Sequence, residues 1–304
     1  MTLIYLNGKF LAPDDAFVSA FDAGLQHGVG VFETMLGVGP AEEGGAPRVH
    51  RPVEHLERLA ESVTTLGLAE AFDAAPVGEL LLETLRRSGL CEKPGSRARI
   101  RLTVTGGDLN MLDRSGTNAQ RPTLMIVVQP SPTPPEEMFQ RGVTVTVADL
   151  KLNPLDPFQS HKTLNYWPRL HALNQASAKG AAEALLFQVS NHLAGGCVSS
   201  VFLVKDAELF APIARGEEPQ GGLPSPVLPG ITRMACIQNA EAAGIKVHKR
   251  MLTIDDLLAA DEVMLTSSTI GVLPVVRIEG HQVGDAKPGP MTRTLREAWL
   301  GEMG

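Results

Sequence analysis

A proline-rich stretch near the middle of the chain, PSPTPP at residues 130–135, constrains the fold more than any other feature. Four prolines in six residues exclude a helix interior or a central strand, and they favour an extended, semi-rigid connector. The chain has 304 residues, which is enough for two domains. We therefore predict a small N-terminal domain over residues 1–129, a connector over 130–136 and a larger C-terminal domain over 137–304.

Charge and composition argue against several classes of partner. The formal net charge is −7, whereas a nucleic-acid-binding surface needs a cationic excess, so no nucleic acid is expected. No apolar run is long enough to cross a bilayer, and the first residues lack the pattern of a signal peptide, so no membrane is expected. The three cysteines are too widely spaced for a zinc or disulfide pattern, and they predict thiols in a reducing cytoplasm.

The N-terminal half alternates strand patterns with helix patterns. Period-two alternation and an Asn-Gly turn predict strands over residues 4–6, 9–11, 97–105 and 123–129. Apolar residues at spacings of three and four predict helices over residues 51–66 and 77–88. In the first of these helices, His55 and Arg58 lie three residues apart and share a face, which we interpret as a solvated flank of the helix.

Two features of this half allow more than one interpretation. The strand at 97–105 places Arg97, Arg99 and Arg101 on one face, where they either pair with acidic neighbours or bind a carboxylate substrate. The run over residues 21–35 contains three glycines within seven positions. It forms either a tight loop between strands or a loop that faces a ligand.

The C-terminal half also alternates strands with helices. Strands are predicted over residues 143–148, 184–189, 201–204 and 262–265. Helices are predicted after the segment 160–167, ending near residue 179, and over residues 234–243. The residues between 211 and 227 are rich in Gly and Pro and predict a surface loop.

Lys162 stands out within this half. The segment SHKTLNYW at 160–167 follows NPLDP at 153–157, which no helix tolerates, so we predict that Lys162 lies at the start of a helix. The partial positive charge of a helix N-terminus lowers the cost of releasing the ammonium proton, which an amine nucleophile needs. Lys162 is either such a nucleophile or a structural lysine whose stem packs at the helix start.

Two further segments contain the groups that bind anions. VLPGITR at 227–233 opens a helix, where amides, a glycine and a threonine hydroxyl converge as a phosphate site requires, although helix capping explains the same residues. TSST at 266–269 ends a strand with four hydroxyls, which either hold ligand oxygens or cap a turn. His161, His171 and His192 lack metal-ligand spacing, so no metal is expected.

Taken in order, these motifs resemble the class IV, or fold-type IV, pyridoxal-phosphate (PLP) enzymes. The resemblance is carried by Asn7-Gly8, residues 22–33, HLERL at 55–59, KTLN at 162–165, LPGITR at 228–233 and residues 262–274. This family includes branched-chain aminotransferases, D-amino-acid aminotransferases and aminodeoxychorismate lyases. The resemblance covers nearly the whole chain and implies an α/β fold, with a small α+β domain and a larger α/β-barrel-like domain.

The resemblance also implies roles for particular residues. Lys162 would form the Schiff base with the PLP aldehyde and then move a proton between substrate and cofactor. The implied phosphate ligands are Arg58, Ile231, Thr232 and Ser268. Tyr166 is the other cofactor ligand that the resemblance implies, and the implied substrate contacts are His27 and Thr269. If the protein is an active aminotransferase, we expect Ser199, Ser200 or a water to be the weaker partner of the ring nitrogen.

The sequence departs from the family pattern at two places. The glutamate that the family places against the pyridine nitrogen is Gly195 here, and the usual asparagine nearby is Ser200. A carboxylate keeps the ring nitrogen protonated and makes the ring an electron sink, which glycine cannot do. In addition, Gly106 and Gly107 follow Thr105, where D-amino-acid and lyase members often carry an arginine.

The resemblance therefore implies an aminotransferase of the branched-chain or D-amino-acid type, impaired to some degree by Gly195. Two alternatives remain open, namely a lyase of the aminodeoxychorismate type and a homologue that keeps the fold but lacks catalysis. In this family the site lies between the two domains and takes residues from a second subunit. A homodimer that acts on an amino acid and a 2-oxo acid is therefore implied.

Overall fold

The computed structural model describes residues 1–108 and 122–303. Contacts divide the chain into two compact units. The first unit comprises Met1–Thr133, His161–Asn165 and Met303–Gly304, and the second comprises Pro134–Ser160 and Tyr166–Glu302. The first division falls inside the proline-rich stretch. The segment that carries Lys162 belongs to the first unit, which differs from the prediction that the C-terminal domain carries it.

The first unit is built on a six-stranded sheet. Its strands are β1 (Leu3–Leu6), β2 (Lys9–Leu11), β3 (Gly30–Val38), β4 (Arg48–Val49), β5 (Arg97–Thr105) and β6 (Leu124–Pro130). They lie in the order β2-β1-β6-β5-β3-β4, and every neighbouring pair is antiparallel. Asn7 and Gly8 have φ of 45° and 94°, as a two-residue hairpin turn requires. The predicted hairpin and the predicted bounds of β5 are confirmed.

The helices of this unit are α1 (Ala23–His27), α2 (Pro52–Thr65) and α3 (Ala74–Ser88), with a short 3₁₀ turn at Pro13–Asp15. Leu59 of α2 and Leu81 of α3 pack with Ile100 and Leu102 of β5 in one buried core. The alternation in β5 therefore places its apolar residues against α2 and α3 and its arginines on the other face. Helix α1 was not predicted, and it lies within the glycine-rich run.

The second unit contains a nine-stranded sheet. Its strands are β7 (Val143–Leu152), β8 (Glu183–Gln188), β9 (Leu193–Gly196), β10 (Ser200–Lys205), β11 (Glu208–Ala211), β12 (Val247–Lys249), β13 (Glu262–Ser267), β14 (Gly271–Ile278) and β15 (His281–Gln282). The order is β12-β11-β10-β13-β14-β7-β8-β9, with β15 paired to β14. Strand β7 runs parallel to both of its neighbours, β14 and β8, so the sheet is mixed.

Helices and two apolar clusters complete the second unit. The helices are α4 (Glu136–Arg141), α5 (Trp167–Ala178), α6 (Ile231–Ala242), α7 (Ile254–Leu258) and α8 (Pro290–Gly301). One core contains Leu185, Leu203 and Leu265 from β8, β10 and β13. A second core packs α5 against β8 through small residues such as Ala172 and Ala176. Helix α6 begins at Ile231, three residues before the predicted start.

Candidate active site

Lys162 lies in an extended segment beside β3 rather than at the start of a helix. The Phe32 amide donates to Lys162 O (2.8 Å), the Leu164 amide donates to Gly30 O (2.9 Å), and Thr163 lies opposite Val31 in an antiparallel bridge. Helix α5 begins only at Trp167. The predicted placement of Lys162 at a helix start is therefore wrong, because pairing with a strand holds this segment and a helix dipole acts only within its first turn.

Gly30 allows the lysine segment to approach β3 so closely. A Cβ at this position would lie 2.7 Å from Leu164 Cδ1 and 2.7 Å from the Val104 carbonyl oxygen. No side chain fits at such distances, so the pairing of the lysine segment with β3 depends on a glycine, which the sequence analysis placed in either a tight loop or a loop that faces a ligand. Farther along β3, β4 pairs with Gly37 and Val38.

The Lys162 side chain lies over the ring of Phe32. Its Nζ is 4.5 Å from the ring centroid, and the guanidinium carbon of Arg101 is 3.7 Å from the same centroid. Phe32 is only 3% exposed, so the ring is held by its surroundings. An aromatic face attracts cations, and the ring therefore orients both side chains. Sequence analysis assigned no role to Phe32.

Glu33, His55 and Arg58 form a buried charged cluster on the opposite face of β3. Arg58 donates from Nε to Glu33 Oε1 (2.8 Å) and from Nη2 to Oε2 (2.7 Å), and His55 Nδ1 lies 2.7 Å from Oε2. The exposed fractions are 1% for Glu33, 1% for His55 and 8% for Arg58. The interpretation of His55 and Arg58 as a solvated flank is therefore wrong, because their partner lies on a strand distant in sequence.

The charges of this cluster follow from burial and pairing. Burial alone would raise the pKa of Glu33, but the charges of Arg58 and His55 and their hydrogen bonds outweigh it and lower the pKa to about 2. Burial lowers the pKa of His55, in spite of Glu33. An ionised carboxylate only accepts hydrogen bonds, so His55 donates from Nδ1. The cluster thus contains an ionised Glu33 carboxylate held by two hydrogen bonds from Arg58, and burial shifts His55 towards its neutral form.

A second contact ties the lysine segment to α2. His161 Nδ1 lies 2.9 Å from Ser62 Oγ, and Ser62 Oγ donates to the Arg58 carbonyl oxygen (2.9 Å). His161 and Ser62 are both buried. The residue before Lys162 is therefore anchored to the same helix that carries Arg58.

His27, an implied substrate contact, is exposed at the end of α1. Asp22 caps this helix by accepting from the Gly24 amide (2.7 Å) through Oδ1. Its other oxygen accepts from the hydroxyls of Thr105 (2.7 Å) and Thr123 (2.8 Å). The glycine-rich run therefore forms a short capped helix fixed to the end of β5, and the structure holds His27 on that helix.

In the second unit, the start of α6 lies beside β10 and β13. Gly230 is the N-cap and provides no capping side chain, and the first turn contains no acidic residue. A Cβ at Gly230 would lie 2.6 Å from Ser200 Oγ, and Ser200 pairs with Thr266 across β10 and β13. Within the described residues, Thr266 Oγ1 is buried without a hydrogen-bond partner. The Ile231 and Thr232 amides belong to the first turn of α6, which has no intrahelical acceptor for them, and the Ser200 hydroxyl lies close to Gly230 beside that turn.

Ser268 and Thr269 lie in the turn between β13 and β14. Strand β13 continues to Ser267, which pairs with Gly271, so the turn comprises residues 268–270. The four consecutive hydroxyls are thus divided between a strand end and a turn. Both Ser268 and Thr269 are half-buried.

The turn between β9 and β10 contains Ser199 and accepts a hydrogen bond from Tyr166. Tyr166 is the N-cap residue of α5, and its hydroxyl donates to Cys197 O (3.1 Å). Ser199 Oγ donates to Glu183 Oε2 (3.1 Å). Sequence analysis overlooked Glu183, although an acidic residue at the head of an apolar strand is a signal that a buried carboxylate has internal partners.

Gly195 lies in β9, opposite Leu186 of β8. A Cβ at Gly195 would lie 3.1 Å from Ser199 O, which is tight contact but leaves room for a side chain after a shift of a few tenths of an ångström. A side chain at the position where the resemblance implies a carboxylate therefore requires the Ser199 carbonyl to move by a few tenths of an ångström.

The described part of the chain contains neither a cluster of metal ligands nor a helix suited to crossing a membrane. In residues 1–108 and 122–303, no three His, Cys, Asp or Glu side chains are grouped as metal ligands. None of the helices in these ranges combines the length and the apolar content that a bilayer crossing requires.

The residues present fit a phosphorylated aldehyde cofactor. The first amides of α6 have no partner within the helix, and its first turn contains no acidic residue that would repel an anion. Among the described residues, the buried Thr266 hydroxyl lacks a hydrogen-bond partner. A dianionic phosphate needs such donors. In the first unit, a fixed lysine provides an amine, as an aldehyde requires.

Comparison with known proteins identifies the family. The family model described as Amino-transferase class IV matches residues 30–278. The chain is 34% identical to a putative branched-chain-amino-acid aminotransferase of Methanocaldococcus jannaschii, covering 97% of this chain and 94% of the relative. It is 28% identical to a D-alanine aminotransferase of Staphylococcus epidermidis, covering 98% and 97%. Its fold matches a T.th. branched-chain amino acid aminotransferase with pyridoxamine 5′-phosphate, with a TM-score of 0.86, 27% identity and coverage of 99% and 93%.

The fold, together with the similarity to these relatives, defines a PLP-dependent aminotransferase of fold type IV. The chain belongs to the class IV aminotransferase family. The sequence predictions of the family, the α/β fold, the aminotransferase class and the PLP cofactor are confirmed. The roles of individual residues stay predictions.

Proposed function

We propose that this aminotransferase acts on branched-chain amino acids and that Lys162 is its reactive amine. The observation that carries the proposal is the fixed position of Lys162, which is paired to β3 and lies over Phe32. The substrate class is supported by the 34% identity to a putative branched-chain relative. It is also supported by Gly106 and Gly107 at the end of β5, because they provide no arginine to bind a substrate carboxylate there.

The proposed roles follow from the chemistry of each side chain. When bound, PLP supplies an aldehyde that reacts with amines and a ring that withdraws electrons from the substrate carbon. Lys162 provides the amine and then carries a proton at Nζ. Arg58 binds phosphate oxygens with its position fixed by Glu33. The amides of Ile231 and Thr232 and the hydroxyl of Ser268 donate to the same group, as at other helix N-termini.

The remaining predicted contacts complete the proposal. Tyr166, Ser199 and Ser200 contact the cofactor ring, and Ser199 or Ser200 offers the ring nitrogen a neutral partner in place of a carboxylate. His27 and Thr269 contact the substrate. Each of these side chains is a hydrogen-bond donor or acceptor that can fix orientation.

A substrate panel tests the proposed function. Purified protein loaded with PLP is mixed with single amino acids, and conversion of the bound cofactor to pyridoxamine 5′-phosphate is followed by absorbance. We expect valine, leucine and isoleucine to react and D-alanine to react at least about tenfold more slowly, a difference of about 1.4 kcal/mol. Faster reaction with D-alanine would contradict the substrate class. Pyruvate release from aminodeoxychorismate without an amino acceptor would favour the lyase, and PLP binding without any reaction would favour the non-catalytic homologue.

The Gly195→Glu variant should show whether the missing carboxylate limits the reaction. A carboxylate at this position raises the pKa of the cofactor's ring nitrogen. Each pKa unit changes the ratio of protonated to unprotonated ring nitrogen about tenfold. We expect turnover to rise at least about tenfold, measured with the best amino acid of the panel. Gly195→Gln adds the same bulk without the charge and should stay at the wild-type rate. Equal changes in both variants would mean that bulk, not charge, matters at this position.

We further propose a homodimer located in the cytoplasm. Each unit carries large apolar side chains on its surface, including Phe17 (80% exposed) and Phe21 (71%) in the first and Trp167 (75%) in the second. These side chains are available for contact with a second copy of the chain. Cys91 and Cys197 are buried and form no disulfide, which suits a reducing compartment. Sedimentation should give about twice the chain mass of 32.4 kDa, and a mass of one chain would contradict the dimer.

A further inference from the structure

Glu183 is a buried carboxylate with an unusual number of partners. It is the first residue of β8 and is only 3% exposed. It accepts from the amides of Ala184 (3.1 Å), Cys197 (3.0 Å) and Val198 (3.3 Å) and from the hydroxyl of Ser199 (3.1 Å). Three of these four donors belong to residues 196–199, which we call the 196–199 turn. One carboxylate therefore fixes one side of this turn.

The other side of the 196–199 turn faces α5. Tyr166 donates from its hydroxyl to Cys197 O (3.1 Å), and Arg169 donates from Nη1 to Gly196 O (3.3 Å). The amides of the turn thus point to Glu183, whereas its carbonyl oxygens point to the first residues of α5. Rotation of these peptide groups would break both sets of hydrogen bonds together.

Gly196 fits this arrangement because no side chain can stand between the turn and Glu183. A Cβ at Gly196 would lie 3.0 Å from Glu183 Cδ and would collide with Ser199 Oγ. The space beneath the turn is therefore filled by the carboxylate itself. Burial raises the pKa of Glu183, while its four donors favour the ionised form. Burying a carboxylate is unfavourable unless hydrogen bonds compensate for the lost water, and these four donors provide them.

We propose that Glu183 is a positioning residue, which holds the 196–199 turn so that Tyr166 and Ser199 face the cofactor. This inference rests on the proposed function, which assigns Tyr166 and Ser199 to PLP. Glu183 itself lies beneath the turn and acts through it. Gly195 precedes the turn directly, so the same carboxylate fixes the backbone that follows the position where the family's usual acid is missing.

The alternative is that Glu183 only stabilises the fold, and Glu262 provides a matched comparison. Glu262 is also buried at the head of a strand in the second unit, with 8% exposure. It accepts from the amides of Met291 (3.0 Å) and Thr292 (2.8 Å) and from the Thr292 hydroxyl. Its donors belong to the start of α8, where sequence analysis predicts no cofactor contact.

The experiment compares Glu183→Gln with Glu262→Gln. In each variant the new side-chain NH₂ cannot accept the hydrogen bonds that the backbone N–H groups donated to the carboxylate. Both substitutions should therefore lower the unfolding temperature. Hydrogen exchange of the Cys197 and Val198 amides is measured in the protein without PLP, and the PLP dissociation constant and absorption spectrum are measured after loading. For Glu183→Gln we expect both the exchange rate and the dissociation constant to rise about tenfold, which corresponds to about 1.4 kcal/mol. For Glu262→Gln both should stay within about twofold of wild type.

Each outcome decides the proposal. Equal loss of PLP affinity in the two variants, or faster exchange in Glu183→Gln with wild-type PLP affinity and spectrum, would overturn it and leave a structural role. Should Glu183→Gln not fold, Ser199→Ala removes only one of the four hydrogen bonds and should raise the exchange rate of Val198 without unfolding. Failure of the proposed function is a separate result, because it appears in wild type as the absence of PLP from Lys162.

Discussion

Replacing Lys162 with alanine should abolish transamination, with a loss of at least about 10⁴-fold in turnover. Proton transfer by a positioned side chain alone contributes about 10²–10⁴-fold, and Lys162 is proposed to supply the reacting amine as well. Turnover is measured with the best amino acid of the panel and a 2-oxo acid acceptor. Borohydride reduction of the PLP-loaded wild type, followed by peptide mapping, should place the pyridoxyl label on Lys162.

Lys151→Ala is the matched control for this substitution. Lys151 also lies over an aromatic ring, with Nζ 5.1 Å from the Phe187 centroid, but it belongs to the second unit and has no predicted role. The control should keep its turnover and its label within about twofold of wild type. A label on a different lysine, or turnover that survives in Lys162→Ala, would remove the basis of the proposed mechanism.

Glu33→Gln should lower both the stability of the fold and the affinity for PLP. Removing one partner of a buried ion pair costs about 3–5 kcal/mol, because the remaining charge is left uncompensated. Arg58 would also lose the carboxylate that orients its guanidinium through two hydrogen bonds. We expect the free energy of unfolding to fall by about 3–5 kcal/mol in denaturant titrations at neutral pH. The PLP dissociation constant should rise at least about tenfold.

The pH dependence of this loss has a defined sign. The pKa of Glu33 is held at about 2, below its ordinary value of 4.5. The stabilising effect is therefore fully present above about pH 4.5 and is lost as the pH falls towards about 2. The stability difference between wild type and Glu33→Gln should shrink by about 3 kcal/mol over this range. A difference that stays constant with pH would mean that the charge of Glu33 contributes nothing.

Asp256→Asn provides the comparison for Glu33→Gln. Asp256 also accepts two hydrogen bonds from one guanidinium, that of Arg250, but both side chains are partly open to solvent. Its carboxylate caps α7, and losing a helix cap costs about 1 kcal/mol. We expect that loss with unchanged PLP affinity. Similar losses of affinity in both variants would argue against a specific role for Glu33.

Local sequence patterns predicted helices and strands well where apolar residues recur at the regular spacing of the element. The alternation from Arg97 to Thr105 gave the bounds of β5, and the Asn-Gly turn gave the first hairpin. The start of α6 was predicted three residues late, because Ile231 and Thr232 were attributed to the loop that binds anions. This error is small because the pattern that predicts a helix or strand lies within the residues that form it.

The site was harder to predict because its decisive contacts join residues distant in sequence. Glu33 lies 22 and 25 positions from its partners His55 and Arg58, and nothing local to α2 indicates a buried carboxylate. Lys162 was placed at a helix start because the pattern around it shows the helix but not the strand edge beside it. The sequence around Lys162 made it a candidate and the resemblance to a family added Arg58, whereas Glu33 and Glu183 became visible only through their hydrogen bonds.

The pairing of residues 162–164 with β3 has a consequence for how the nascent protein matures. When the first 133 residues have left the ribosome, the edge of β3 near Gly30 still lacks its partner, which is made about thirty residues later. An unpaired edge is a site for pairing with another chain. Translation must therefore deliver residues 162–164 before the N-terminal half can pair this edge of β3, so the segment that carries the proposed reactive amine also completes the pairing of that strand.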